Sequence, residues 1–182
     1  MKTEFDAARL DIRAFAQTGG ALTGQDPLQK YARLMQEVLG AAGDFPVSWS
    51  AQGEQRKVAG QTDEVWLHLQ ADAMLPLTCQ RCLARVDVPL AVENSFRFVT
   101  SEAAAAAEDD TSEEDVLVLA RDFDLNALIE DELLMEMPVV PRHDVCPTEV
   151  KMEAVDADFD ATEQAKPNPF AVLAKLQGGK SG

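Results

Sequence analysis

Basic residues are scarce in this chain: 16 lysines and arginines stand against 32 acids, a formal net charge of −16 over 182 residues. A domain that grips nucleic acid by neutralising phosphates is usually basic. Direct contact with RNA is therefore at most local, and anionic lipid surfaces would be repelled as well. No apolar run approaches the roughly 18 residues of a membrane span, so no membrane partner is expected. The N-terminus, Met1-Lys2-Thr3-Glu4-Phe5-Asp6, has no apolar export core and no small-residue cleavage site. Aromatic residues are few at 6%, which makes the core mostly aliphatic. Three cysteines are an odd number and a poor disulfide framework, and reduced thiols in a cytosolic setting fit better. No phosphate-cradling glycine loop, nucleotide fingerprint or serine–histidine–acid arrangement can be read.

What is there is a pattern of thiols. All three cysteines and one of the two histidines fall into two short pairs, Cys79-Gln80-Arg81-Cys82 and His143-Asp144-Val145-Cys146, 60 residues apart. A two-residue spacer lets two side chains of one turn reach the same ion, and a second such turn completes a tetrahedron. The spacing predicts a closed Cys3His site for one structural zinc ion, made of Cys79, Cys82, His143 and Cys146. Two other readings stay open, inert packed thiols and a redox pair. A redox CxxC commonly opens a helix whose dipole lowers the thiol pKa, whereas Cys82 is followed by no helical period. His68, between Leu67 and Leu69 on the polar phase of a strand, is expected at the surface.

The periodicity predicts an α+β domain, an antiparallel β-sheet packed by helices, with an acidic loop and a mobile C-terminal tail ending in a short helix. One domain is expected over residues 1–143, with an N-terminal helical segment at 1–43, a strand region at 47–119 and a helix at 124–137. Residues 144–182 are expected to be an acidic linker and a short helix. In the first segment, Asp26 and Pro27 suit a helix start, with Leu28, Tyr31, Leu34, Met35, Val38 and Leu39 at helical spacing. Extended runs are expected at Val47–Val58, Glu64–Leu75 and Ala84–Thr100, with Pro89 marking an edge or a bulge. The stretch Ser101–Asp115, with seven acids and five consecutive alanines, reads as a solvated loop with a frayed helix. A short strand Val116–Leu119 follows, then a helix capped by Asp122 or Asp124 and stopped by Pro138 and Pro141.

Arg81, Arg85, Arg97 and Arg142 flank the thiol pairs and could form a small basic face, though pairing with the excess carboxylates is the plainer reading. Glu130, Asp131, Glu132 and Glu136 read as a solvated helix face rather than a catalytic cluster. The stripe Phe170, Leu173 and Leu176 after Asn168-Pro169 needs a surface, either this chain's own core or a partner's groove.

The unit Leu77-Thr78-Cys79-Gln80-Arg81-Cys82, the helix end Glu130-Asp131-Glu132-Leu133-Leu134-Met135-Glu136-Met137-Pro138-Val139-Val140-Pro141 followed by His143 and Cys146, and the closing Lys166-Pro167-Asn168-Pro169-Phe170-Ala171-Val172-Leu173 resemble the bacterial YceD family, the large ribosomal RNA subunit accumulation proteins. The resemblance runs from about Phe5 to Leu176. It implies a cytoplasmic, non-enzymatic factor needed for synthesis, processing or stability of 23S ribosomal RNA. With the charge of −16, it implies action through ribosomal or RNA-processing proteins. Arg81, Arg85, Glu132, Pro138, Pro141, Arg142 and Phe170 are then the expected partner-binding residues. Competing expectations are a thiol-redox protein using Cys79 and Cys82, and an acidic adaptor with no ribosomal role.

Overall fold

The computed structural model describes residues 5–40, 45–60, 62–108 and 111–149. Two compact units divide at residue 148, and of the second only Glu149 is described. The first unit is an α+β fold built on one five-stranded sheet in sequential order. Helix α1 (Ile12–Gln17) precedes β1 (Ala21–Pro27); a 3-10 turn and the short α2 (Leu34–Glu37) lead to β2 (Pro46–Arg56), β3 (Glu64–Thr78) and β4 (Arg85–Val99). Helix α3 (Glu102–Glu108), β5 (Asp115–Val118) and α4 (Leu125–Glu136) follow.

β2, β3 and β4 form on the expected extended runs because their side chains alternate, whereas β1 forms within the segment expected to be helical. In β3, Val65, Leu67, Leu69, Ala71, Ala73, Leu75 and Leu77 are buried on one face, and a register slip of one residue would expose all of them. β1 to β4 pair antiparallel, residue against residue with no bulge, whereas β5 joins β4 in parallel. The alanine run forms α3, its first turn capped by Ser101 Oγ accepting from the Ala104 N–H. As expected, α4 is capped by Asp124, which accepts from the Asn126 and Ala127 N–H groups. Asp122 instead pairs with Arg9. No described helix is long and apolar enough to cross a membrane.

The helix expected from Asp26 does not form. Asp26 and Pro27 end β1, and only Leu34–Glu37 is α-helical. The apolar spacing was real, since Leu28, Tyr31 and Leu34 are fully buried, but tertiary bonds claim the supposed cap. The Asp26 carboxylate accepts from Trp49 Nε1 at 2.7 Å, Tyr31 Oη at 3.0 Å and Lys30 Nζ at 2.9 Å. Burial works against its charge, but these three donors outweigh it and hold the carboxyl below its usual range. Sequence reading also missed α1, a helix too short to show a period. It is capped by Asp11 and lies so close to β2 that a Cβ at Gly53 would sit 2.7 Å from the Phe15 ring.

The solvated acidic face on α4 is a second correction. Glu130 and Glu132 are buried. Glu130 accepts from the Arg33 N–H at 2.7 Å, from Arg33 Nε at 2.9 Å and from the Leu34 N–H at 3.3 Å, which ties α2 to α4. Glu132 accepts from Asn94 Nδ2 at 3.1 Å. Burial pushes the Glu132 carboxyl up, and the nearby Asp115 and Asp131 add to this against the Asn94 bond.

Candidate metal centre

Strand alternation carries the core face of β3 through Leu75 and Leu77 to Cys79, which is fully buried. The chain then turns: the Cys79 N–H donates to the Ala84 carbonyl and the Leu83 N–H to the Cys79 carbonyl, both at 2.9 Å. This tight turn requires Leu83 to take φ 59°, the left-handed region that side chains with a Cβ adopt reluctantly. Cys82 lies at the end of the same turn, as expected for a strand-to-strand CxxC.

The second pair arrives after α4. Pro138 and Pro141 prevent helical continuation, and the Gln80 N–H, donating to the Pro141 carbonyl at 2.8 Å, docks the segment on the hairpin tip. Cys79, Cys82, His143 and Cys146 each offer one ligand atom, and these four atoms all lie within 4.8 Å of one another. Cys82 Sγ and His143 Nδ1 are 3.5 Å apart. A tetrahedral zinc ion with ordinary bond lengths sets a sulfur–nitrogen edge of about 3.5 Å and sulfur–sulfur edges of about 3.8 Å. The donor set fits such an ion. It would use all four positions and leave none for a substrate.

The electrostatics favour a thiolate at Cys79. Burial opposes charge on Cys79, but the backbone N–H groups of Cys82, His143 and Arg81 directed at its sulfur outweigh that and lower its pKa from 9.0 to about 5. Cys82 moves the other way: although the Ala84 N–H favours its thiolate, burial and the neighbouring Cys79 and Cys146 sulfurs push it up. Arg81 holds the two halves together. Its Nε donates to Cys146 Sγ at 3.1 Å, and its Nη2 donates to the carbonyls of His143 and Asp144 at 2.5 and 3.1 Å. Three thiolates around a divalent cation leave one negative charge, which this guanidinium offsets.

Arg81→Ala is therefore expected to weaken zinc binding by about 10–100-fold, the usual effect of losing such a supporting contact. Arg81→Lys, with charge but no planar fork, falls between. Competition against a chromophoric chelator measures both, and unchanged affinity in Arg81→Ala would refute the role.

The other flagged residues scatter. Arg85 pairs with Asp87 at 2.7 Å. Arg97 sits at the opposite end of β4, bound to Glu108 at 2.6 Å. Arg142 is exposed beside His143. Glu132 faces Asn94, on the strand rather than at the hairpin tip. Pro138 is exposed and Pro141 half-buried, while Phe170 lies outside the described residues. His68 is not a plain surface residue: its Nδ1 meets Ser95 Oγ at 2.8 Å and its Nε2 meets Glu54 Oε2 at 2.7 Å. A serine–histidine–acid line does exist, assembled across β2, β3 and β4, which no sequence spacing could reveal. The Ser95 N–H is taken by Asn94 Oδ1, so it offers no oxyanion donor, and the line acts as a cross-strand tie.

Comparisons with known proteins bear on the chain as a whole. Residues 67–177, which include both thiol pairs, match the family model described as large ribosomal RNA subunit accumulation protein YceD. A protein of that name from Haemophilus influenzae is 30% identical over 149 residues, covering 80% of each chain. No solved structure gives a significant match. With more than half its length under the family model and a relative aligned across four fifths of both chains, the chain belongs to the YceD family.

Proposed function

We propose that this protein supports accumulation of large-subunit ribosomal RNA as a non-catalytic factor acting through protein partners. The observation that carries this reading is the alignment with the Haemophilus influenzae protein bearing that name, across 80% of each chain. The acidic charge of −16 favours contact with basic proteins over long stretches of phosphate backbone. The reading assigns the Cys3His group to one structural zinc ion. The ion would join the β3–β4 tip to the segment after α4, and the reading takes Arg81, Pro138, Pro141 and Arg142 as partner-binding residues on these two segments. Arg85, Glu132 and Phe170 complete the proposed partner-binding set. The test is deletion of the gene followed by measurement of 23S against 16S ribosomal RNA. A fall in 23S RNA, restored by the wild-type chain but not by Cys79→Ser, is the expected result. An unchanged ratio would overturn it.

The thiol-redox reading draws support from one observation, the lowered pKa of Cys79. Its sulfur is fully buried, however, which denies a partner disulfide the access that exchange needs. Thiols that react freely in the full chain as purified, with no bound metal, would favour this reading.

A further inference from the structure

β3 pairs with β4 along its whole length, but among the described residues β5 covers the other side of β4 only from Phe96 to Val99. The direction of each backbone group along that strand is fixed by two bonds. The Ala84 carbonyl accepts across the hairpin from the Cys79 N–H, and the Val99 carbonyl accepts from the Leu119 N–H on the β5 side. In an unbulged strand, even-numbered residues therefore point their N–H and C=O at β3, and odd-numbered residues point theirs at the other edge. Arg85, Asp87, Ala91 and Glu93 present donors and acceptors there. Pro89 fits the same edge, since its missing N–H removes no bond to β3. The Ser95 N–H is closed off by Asn94 Oδ1 at 2.8 Å, just before β5 begins.

Beside this edge a groove of about 440 Å³ runs between Ala91–Asn94 and the α4 residues Glu132, Met135 and Glu136. Met135 is 73% exposed in it. Glu93, Glu132 and Glu136 line it, and Asp115 stands next to Asn94 at 3.0 Å. No described lysine or arginine pairs with Glu132; the base on this edge, Arg85, is bound to Asp87.

We infer that the β4 edge at Ala91–Glu93 and its groove take an extended, lysine- or arginine-rich segment of another protein as an added strand. The Ala91 and Glu93 backbones supply the pairing, Met135 receives an alternate apolar side chain, and the carboxylates receive the basic ones. Charge selects this occupant. A second copy would bring the same acids to the edge. The chain's own residues 149–163 hold six acids and one lysine and are likewise repelled. Residues 164–182 carry Lys166, Lys175 and Lys180 and no acid, but these lysines are widely spaced and Pro167 and Pro169 interrupt strand pairing.

The test uses the full chain and a synthetic peptide of alternating lysine and valine, with a backbone N-methylated peptide of the same sequence as control. Proline at position 91 removes only an outward N–H, as Pro89 already does. The plain peptide is expected to protect the Ala91 and Glu93 amides from exchange. Binding should weaken about 10-fold for the N-methylated peptide on the wild-type chain, the loss of roughly two backbone hydrogen bonds, and about 5-fold for the plain peptide on Ala91→Pro, which loses one. Equal binding by both peptides would mean attraction by charge alone and overturns the inference. So would Ala91 and Glu93 amides already protected before any peptide is added, because the edge would then be covered by the chain itself or by a second copy.

Discussion

Cys79→Ser is expected to abolish stoichiometric zinc binding and to lower the melting temperature by roughly 8–16 °C. An ion bound about 1,000-fold more tightly than its free concentration stabilises the folded state by about 4 kcal/mol, and for a chain of this size each kcal/mol moves the midpoint by about 2–4 °C. A chelator added to the wild-type chain should produce nearly the same shift. It should then do nothing further to Cys79→Ser, because the substitution has already removed the ion. That failure of additivity is the informative part. Placing a hydroxyl at a fully buried core position is destabilising in its own right, but such damage would leave the chelator effect intact. Thermal melts of both proteins with and without chelator separate the two causes. A chelator shift that persists in Cys79→Ser would refute the ligand role of this residue.

Glu130→Ala should be the most damaging substitution among the acids of α4, lowering stability by about 3 kcal/mol. The carboxylate satisfies two backbone N–H groups at the start of α2 and the Arg33 guanidinium, and hydrogen bonds to a charged acceptor contribute about 1.5–3 kcal/mol each when the partners are left unpaired. Its neighbour Asp131 also pairs with Arg33 but is half exposed, so Asp131→Ala should cost less than about 1 kcal/mol. Glu130→Gln keeps an acceptor without the charge and should fall between. Urea denaturation of the three variants measures the order. A Glu130→Ala value no larger than that of Asp131→Ala would show that the acid does not tie α2 to α4.

These two positions also mark what could and could not be read from the residues alone. Cys79 was legible because local chemistry and local periodicity agree there. The CxxC spacing limits which side chains share an ion, and the alternation from Val65 to Leu77 places the first sulfur on the buried face. The strands β2, β3 and β4, the cap at Asp124 and the stop at Pro138 were legible for the same reason, since each signal lies within a few residues of the element it sets. Glu130 was not. Its partners sit 96 and 97 positions away, and within α4 it looks like any solvated acid. Asp26 misled in the same manner: Asp-Pro before an apolar stripe is a sound helix start, but Trp49 on β2 recruits the carboxylate from 23 positions away, joined by the nearby Tyr31. The Glu54–His68–Ser95 line needed three strands in register before it existed. Arg81 could be picked out as a base beside the thiols, yet its role as a clamp depends on Cys146 being brought back beneath it.

The claim on which the site rests is that one cation is shared by two turns distant in the chain. X-ray absorption at the zinc edge, on the full chain purified without a histidine tag, tests it most directly. The account predicts about one zinc ion per chain with three sulfur neighbours near 2.3 Å and one nitrogen near 2.0 Å. A preparation with no zinc edge and three freely titrating thiols would contradict it, as would a first shell that lacks either the third sulfur or the nitrogen.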